Sequence, residues 1–154
     1  MAARIEDYGL IGDLQTAALV SRHGCIDWLC FPRFDSGACF AALLGDEDNG
    51  RWSLEPASGI TSARRRYRGD TLILETELAC DEGVVRVIDF MPPRGEAPDV
   101  VRIVEGVEGT VPMRMRLSAR RLGGARPARR RDRPRARRHA RDARDAEGGR
   151  APRR

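Results

Sequence analysis

Lysine is missing from this sequence: all 28 basic residues are arginine, against 23 acidic residues, and the formal net charge is +5. No stretch reaches the about 18–20 consecutive apolar residues of a membrane-spanning helix, so we predict no transmembrane segment. The start of the chain carries Glu6, Asp7 and Asp13 and lacks the basic-then-apolar order of a secretory signal. These absences predict a soluble cytoplasmic protein.

Cysteine is scarce, and its spacing fits neither a disulfide scaffold nor a metal site. The four cysteines are Cys25, Cys30, Cys39 and Cys80, with no C-x-x-C pair among them. The two histidines, His23 and His139, are far apart in the sequence, whereas zinc sites usually draw on close ligand pairs. Phosphate-binding loops of the G-x-x-x-x-G-K-[ST] and G-x-G-x-x-G types are also missing. We therefore predict reduced thiols, no metal and no cofactor.

Charge is distributed unevenly along the chain. Residues 1–117 hold 13 arginines against 19 acidic residues, a net charge of −6. Residues 118–154 hold 15 arginines against four acidic residues, a net charge of +11, and their one large aliphatic side chain is Leu122. A segment with so little apolar surface cannot offset the entropy lost on ordering. We therefore predict one folded domain over residues 1–117 and a disordered Arg-rich tail over residues 118–154.

The pattern of residues 1–117 predicts strands. They cover residues 14–20, 25–30, 51–54, 71–80, 84–90, 100–104 and 111–117. Short loops ending in Gly24 and Gly83 predict two hairpins. In the last strand Val111, Met113, Met115 and Leu117 alternate with polar residues or proline, which predicts one inward face.

One short helix is predicted over residues 38–44. Ser36 can cap its start, and Gly45 can end it in the left-handed conformation. The predicted fold class is all-β, a partial antiparallel β-sandwich.

Several short motifs, in order, carry a family resemblance. They are IEDYGLIGD from Ile5, TAALV from Thr16, GCIDWLC from Gly24, PRFDS from Pro32, AALLG from Ala41, RYRGDTL from Arg66, VIDFMP from Val87 and VRIVEG from Val101. Together they resemble the amino-terminal region of bacterial family 15 glycoside hydrolases, the glucoamylase-like and trehalase-like enzymes. The resemblance runs from about Ile5 to Leu117.

The resemblance implies an amino-terminal β-sandwich followed by an (α/α)6 helical barrel. It also implies hydrolysis of α-glucosides with inversion, in which one carboxyl is the general acid and one carboxylate activates water. Both acids of this family lie in the barrel, so no residue of this chain inherits a catalytic role. The partners implied for a full-length parent are its own barrel and an α-glucoside such as trehalose or a malto-oligosaccharide.

Four residues within the resembling motifs are candidates for contact with substrate. They are Asp27, Trp28, Arg33 and Asp35. Structural hydrogen bonding is the favoured role for the aspartates, as for Asp89, and core packing is the favoured role for Trp28 and Trp52. Arg33 fits a contact with a carboxylate or the barrel and a plain surface role equally well. Other carboxylates are expected to be solvated, with Glu75 and Glu77 pointing outward from a strand.

The Arg-rich tail leaves two interpretations. Arginine pairs with phosphate, so the tail could bind nucleic acid, although stacking aromatics and lysine are missing from it. Its Arg, Ala, Gly and Pro content is also typical of GC-rich DNA translated in an unintended frame, and we favour a frameshift near residue 118. The resulting hypothesis is a carboxy-truncated glycoside hydrolase fragment, inactive alone. The alternatives are an acidic β-domain with a nucleic-acid-binding tail, or a non-catalytic carbohydrate-binding module.

Overall fold

A computed structural model describes residues 3–119, which form two antiparallel β-sheets. The ten strands are β1 Tyr8–Gly12, β2 Ala17–Ser21, β3 Cys25–Cys30, β4 Ala38–Phe40, β5 Arg51–Pro56, β6 Ser62–Tyr67, β7 Leu74–Cys80, β8 Gly83–Phe90, β9 Val101–Gly109 and β10 Met113–Ser118. Short 3₁₀ turns cover Ile5–Asp7, Ala42–Leu44 and Glu47–Asn49. The all-β prediction is confirmed. The predicted tail lies outside the described residues, apart from its first two.

The first sheet has the order β1-β2-β3-β5-β10, with β4 also paired to β3, and the second has the order β6-β7-β8-β9. Within the described residues, β1 and β10 are therefore the edges of the first sheet, and β6 and β9 are the edges of the second. Every strand pair is antiparallel. No helix in residues 3–119 is long and apolar enough to cross a membrane.

The core lies between the two sheets. One buried cluster joins Ile11, Val20, Ile26 and Leu29 of the first sheet to Leu74 of the second. A second cluster joins Leu54 to side chains of β7 and β8, namely Leu78, Val85 and Val87. Because both clusters draw on both sheets, the arrangement is a sandwich.

Two glycines shape the predicted hairpins, which are confirmed as β2–β3 and β7–β8. Gly24 has φ 78°, and a Cβ there would lie 2.7 Å from the backbone oxygen of Leu54. Gly83 has φ 148° and approaches the backbone of Glu108 on β9 so closely that a side chain would collide with it. Glycine therefore allows both the turn and the close packing of backbones.

The predicted helix over residues 38–44 is wrong. Ala38–Phe40 forms a short strand that pairs with Leu29 and Cys30, and Ala42–Leu44 forms a single 3₁₀ turn. Gly45 has φ −167°, which is extended backbone. A run of seven apolar and small residues fits a buried strand as well as a helix. Here Ala38–Phe40 pairs with the end of β3 that β5 does not reach.

The last strand follows the predicted alternation, but no other part of residues 3–119 covers its apolar face. Met115 pairs with Leu54 and Leu117 pairs with Trp52, so both project toward the inner side of the sheet. They are nevertheless 61% and 57% exposed. On the edge of the other sheet, Val104 pairs with the buried Val87 and is 41% exposed. We call Val104, Met115 and Leu117 the open rim.

Candidate functional site

Three loops meet at one end of the sandwich: residues 13–16 after β1, 31–37 after β3 and 91–100 after β8. We call this the loop end. The backbone N–H of Phe34 donates to the carbonyl oxygen of Gln15 at 3.0 Å, which joins two of the loops. A groove of about 330 Å³ separates residues 12–15 from Met91, Pro93 and Arg94.

A buried ion pair supports the loop end from below. Asp13 accepts hydrogen bonds from the backbone N–H groups of Gln15 at 3.0 Å and Thr16 at 2.8 Å, and from Arg94 Nε at 2.8 Å. Burial alone would raise the pKa of Asp13, but the hydrogen bonds from Arg94 and the backbone hold it below its usual value. Asp13 is therefore a structural carboxylate that fixes the turn.

Two large apolar side chains of the loop end are exposed. Leu14 is 91% exposed and has φ 72°, a left-handed conformation that is rare for leucine. Phe34 is 62% exposed. The loop end therefore carries two apolar side chains that residues 3–119 leave exposed.

Two predicted substrate contacts, Arg33 and Asp35, lie in the same loop as Phe34. Both are exposed, and Arg33 Nε lies 3.4 Å from Asp35 Oδ1. Their charges are solvated and available to a ligand. The Phe31–Pro32 peptide that precedes them is cis.

The other two candidates lie elsewhere. Asp27 is the extra residue of a β-bulge, because Trp28 pairs with Leu19 while Ile26 pairs with Val20. Asp27 is buried and accepts hydrogen bonds from the Tyr8 hydroxyl at 2.8 Å and from Arg51 Nε at 2.9 Å. This geometry supports structural hydrogen bonding, rather than contact with substrate, as the role of Asp27.

Trp28 is half-buried and pairs with Leu19, on the face of the first sheet opposite to the core residues Ala18 and Val20. Trp52, by contrast, packs against the main core cluster. The structure thus brings Arg33 and Asp35 together and leaves Asp27 and Trp28 within β3.

The hydrogen bond to Asp27 also affects the pKa of the Tyr8 hydroxyl. Burial, together with the hydrogen bond to Asp27, raises the pKa of the Tyr8 hydroxyl above its ordinary value. Arg51 also pairs with Glu47 at 2.7 Å, so the network extends to the surface. Its members satisfy one another and leave no carboxylate oxygen of Asp27 directed at solvent.

Glu75 lies on the outer face of its strand, as expected, but it is not solvated. It is buried, and its two oxygens accept hydrogen bonds from Arg66 Nε at 2.9 Å and Arg68 Nε at 2.8 Å. These arginines hold the pKa of Glu75 below its usual value. Glu77 is half-buried and pairs with Arg86 at 2.7 Å.

Asp89 and Arg102 form a second buried pair between the sheets. Burial raises the pKa of Asp89, and Arg102 opposes the rise. The guanidinium also donates to the carbonyl oxygens of Trp52 at 3.0 Å and Gly24 at 2.7 Å. Arg102 therefore ties β9 to both the first sheet and the β2–β3 turn.

The cysteines are free thiols within or beside the core. Burial raises the pKa of Cys25, Cys30 and Cys39, in the last case to about 11. Such thiols are poor nucleophiles at neutral pH. Across residues 3–119, no three His, Cys, Asp or Glu side chains are grouped so that they could hold a metal ion.

Comparison with known proteins identifies the family. Residues 1–128 match the family described as trehalase-like, N-terminal. The chain belongs to the trehalase-like N-terminal family. This confirms the resemblance to a trehalase-like amino-terminal domain, and the match extends beyond the boundary predicted after Leu117.

Individual relatives carry the same name. The chain is 41% identical over 87 residues to a trehalase of Mycolicibacterium smegmatis, which covers 56% of this chain and 13% of that protein. It is 33% identical over 108 residues to a trehalase of Thermoplasma volcanium, which covers 66% of this chain and 17% of that protein. It is 38% identical over 87 residues to a trehalase of Mycobacterium tuberculosis, which covers 56% of this chain and 13% of that protein. The chain thus spans less than a fifth of the length of these relatives. No solved structure matches it.

Several residues that organise this trehalase-like domain carry no local signal in the sequence. Arg94 reaches Asp13 across 81 positions, and Arg102 reaches Gly24 across 78. Leu14 belongs to an apolar run that predicts a strand, yet it lies in a turn. The buried aspartates of residues 3–119, Asp13, Asp27 and Asp89, each pair with an arginine. These pairs can be recognised only once the positions of the strands are known.

Proposed function

We propose that this chain is a non-catalytic β-sandwich portion of a family-15-like glycoside hydrolase whose full-length form hydrolyses an α-glucoside, of trehalase or glucoamylase type. The chain alone is proposed to be inactive. Family membership and relatives named trehalase support the type of enzyme. The chemistry of the described carboxylates supports the lack of activity.

One observation carries the inactivity: all four buried carboxylates of residues 3–119 are paired with arginine. They are Asp13, Asp27, Glu75 and Asp89. A general acid for glycoside cleavage needs a raised pKa and access to the glycosidic oxygen. Burial raises the pKa of Asp89, but the residue is fully buried behind Arg102 and cannot reach a sugar.

The open rim supports the proposal that the sandwich is part of a larger one. Apolar residues that project inward from both sheets are covered in a finished sandwich. In the proposed parent, further strands cover Val104, Met115 and Leu117.

We further propose that the loop end faces the helical barrel and substrate of that parent. Leu14 and Phe34 supply apolar contacts, and Arg33 and Asp35 supply hydrogen bonds to hydroxyl groups or to the barrel. A cytoplasmic location belongs to the same proposal, supported by the four free thiols.

The test is glucose release from trehalose and from maltose by the purified chain. We expect none, with a folded state verified by circular dichroism and a full-length trehalase as the positive control. Turnover that copurifies with the chain and survives further chromatography would contradict the proposal.

Two alternatives have their own supporting observations. The exposed Arg33, Phe34 and Asp35 favour a carbohydrate-binding module, and a saturable change of tryptophan fluorescence on sugar titration would support it.

The +11 charge of residues 118–154 favours nucleic-acid binding. Salt-sensitive binding of DNA or RNA that is lost on removal of residues 118–154 would support that role.

A further inference from the structure

Within residues 3–119, the open rim lies between two unpaired strand edges, β9 and β10, on the same side of the sandwich. At the opposite side, the Tyr67 hydroxyl of β6 donates to the carbonyl oxygen of Leu10 on β1 at 3.0 Å. On the rim side, Arg102 of β9 contacts β5, the neighbour of β10. Unpaired edges with adjacent apolar side chains are templates for pairing with another strand.

The two edge strands run in opposite directions. β8 and β10 start at the same end of the sandwich, where the Ala57 N–H bonds to the carbonyl oxygen of Pro112 and Ser58 bonds to Glu82. β8 and β10 therefore run the same way, and β9 runs antiparallel to β8. It follows that β9 runs antiparallel to β10.

From this geometry we propose that two copies of the chain form a two-fold symmetric dimer in which β9 of each copy pairs with β10 of the other. A two-fold axis parallel to the strands exchanges the two sheets and keeps strand direction, so both new pairs are antiparallel. Both sheets then continue across the interface, and the two open rims cover each other. The interface is closed, so assembly stops at two copies.

The same axis determines the register. Arg102 bonds to the carbonyl oxygen of Trp52, and Trp52 pairs with Leu117, so Arg102 and Leu117 lie at about the same height along the strands. Rotation about an axis along the strands preserves height. Val104 of one copy therefore lies opposite Met115 of the other, on the inner face.

Charge is complementary on the outer face of this pairing. One residue further along, Glu105 of one copy lies opposite Arg114 of the other. Glu105 is exposed and makes one long contact with Arg86, at 3.5 Å, and Arg114 is exposed. Opposite charges that face each other across strands stabilise a pair, whereas like charges destabilise it. Pairing β10 with β10 would instead bring Arg114 and Arg116 together.

The mass of the full chain in solution is the first test. Sedimentation equilibrium over a series of concentrations is expected to give twice the chain mass of 17.1 kDa. Measurements at low and high salt separate the interface from repulsion between the Arg-rich segments, which salt screens. A monomer at all concentrations and salts, or open-ended growth beyond two copies, would overturn the proposal.

Substitutions test the interface itself. Met115→Arg is expected to raise the dissociation constant about tenfold or more, a cost above about 1.4 kcal/mol, without lowering the melting temperature of the monomer. Leu72→Arg is the control, because Leu72 is also an exposed apolar residue, 41% against 61% for Met115, and lies in the loop before β7 rather than on the rim. An equal effect of both substitutions would overturn the proposal.

Charge reversal tests the register independently of apolar burial. Glu105→Arg is expected to weaken the dimer, because it then opposes Arg114. Glu105→Arg combined with Arg114→Glu is expected to restore the affinity, since the pair is rebuilt with opposite polarity. Failure of the second substitution to restore an affinity that the first has reduced would show that these residues do not face each other.

Discussion

Arg102 and Asp89 form a two-point ion pair that is entirely enclosed between the sheets. Arg102 Nε lies 2.7 Å from Asp89 Oδ1 and Nη2 lies 3.2 Å from Oδ2, with side chains 1% and 0% exposed. The guanidinium carbon also lies 5.2 Å from the centre of the Trp52 ring. One arginine thus joins the edge strand β9, the carboxylate of β8 and the aromatic core.

Removal of Arg102 from its pair with Asp89 is expected to lower the free energy of unfolding. Arg102→Met leaves Asp89 buried without a counter-charge, and we expect a loss of about 3–5 kcal/mol in the free energy of unfolding. Arg102→Met combined with Asp89→Leu is expected to recover much of that loss, because no uncompensated charge remains. Denaturant unfolding of the two variants and the parent chain measures both effects. Equal losses for the single and double variants would contradict the prediction.

Alanine substitutions at two turn glycines separate the steric cost of a side chain from the conformational cost of a positive φ. Gly24→Ala places a Cβ 2.7 Å from the Leu54 oxygen, in addition to the cost of a positive φ. Gly69→Ala has a positive φ of 54° and open space around it, so it incurs the conformational cost of about 1–2 kcal/mol alone. We expect Gly24→Ala to be the more destabilising of the two in thermal melts, and equal losses would show that the turn relaxes freely.

The hairpins could be predicted because their signals are local. Gly24 and Gly83 stand between two β-prone runs, and the short loops leave each pair of strands little choice of partner. Strand β6 has no such signal, since three of its six residues are arginines. Its side chains find partners outside the strand: Arg66 pairs with Glu75 on the neighbouring strand, and Arg65 donates to the distant carbonyl oxygens of Asp7 and Val20.

The candidate site could be predicted only in part. Arg33 and Asp35 are exposed, as a contact with substrate requires, because their loop follows the end of β3. Asp27 is buried because a β-bulge places it beside Tyr8 and Arg51, and a bulge depends on the register of two strands. No local pattern distinguishes these outcomes, since all three residues belong to similar short motifs.

Acid is expected to weaken the domain through Glu75. Its pKa in the folded state lies below its ordinary value of 4.5, so its stabilising effect is complete above that pH and is lost as pH falls toward the lower folded value. Asp13 acts in the same direction below 3.8, whereas the raised pKa of Asp89 acts in the opposite direction.

The variant Glu75→Gln isolates this effect. We expect it to be less stable than the parent chain at pH 7, with a difference that shrinks as pH falls below 4.5. Urea unfolding at several pH values measures the difference, and Glu96→Gln, at an exposed carboxylate, is the control. A difference between parent and Glu75→Gln that stays constant from pH 7 to pH 3 would contradict the assignment.

Leu14 offers the reverse experiment, a substitution that stabilises. Its left-handed conformation costs about 1–2 kcal/mol for a residue of this type, and its side chain, 91% exposed, recovers little by packing. Asparagine tolerates this conformation. We therefore expect Leu14→Asn to raise the free energy of unfolding by about 1 kcal/mol, whereas Leu44→Asn, at an exposed leucine in a 3₁₀ turn, does not. A melting temperature that falls in Leu14→Asn would show that Leu14 contributes to the fold itself, and its exposure would then no longer support a contact surface at the loop end.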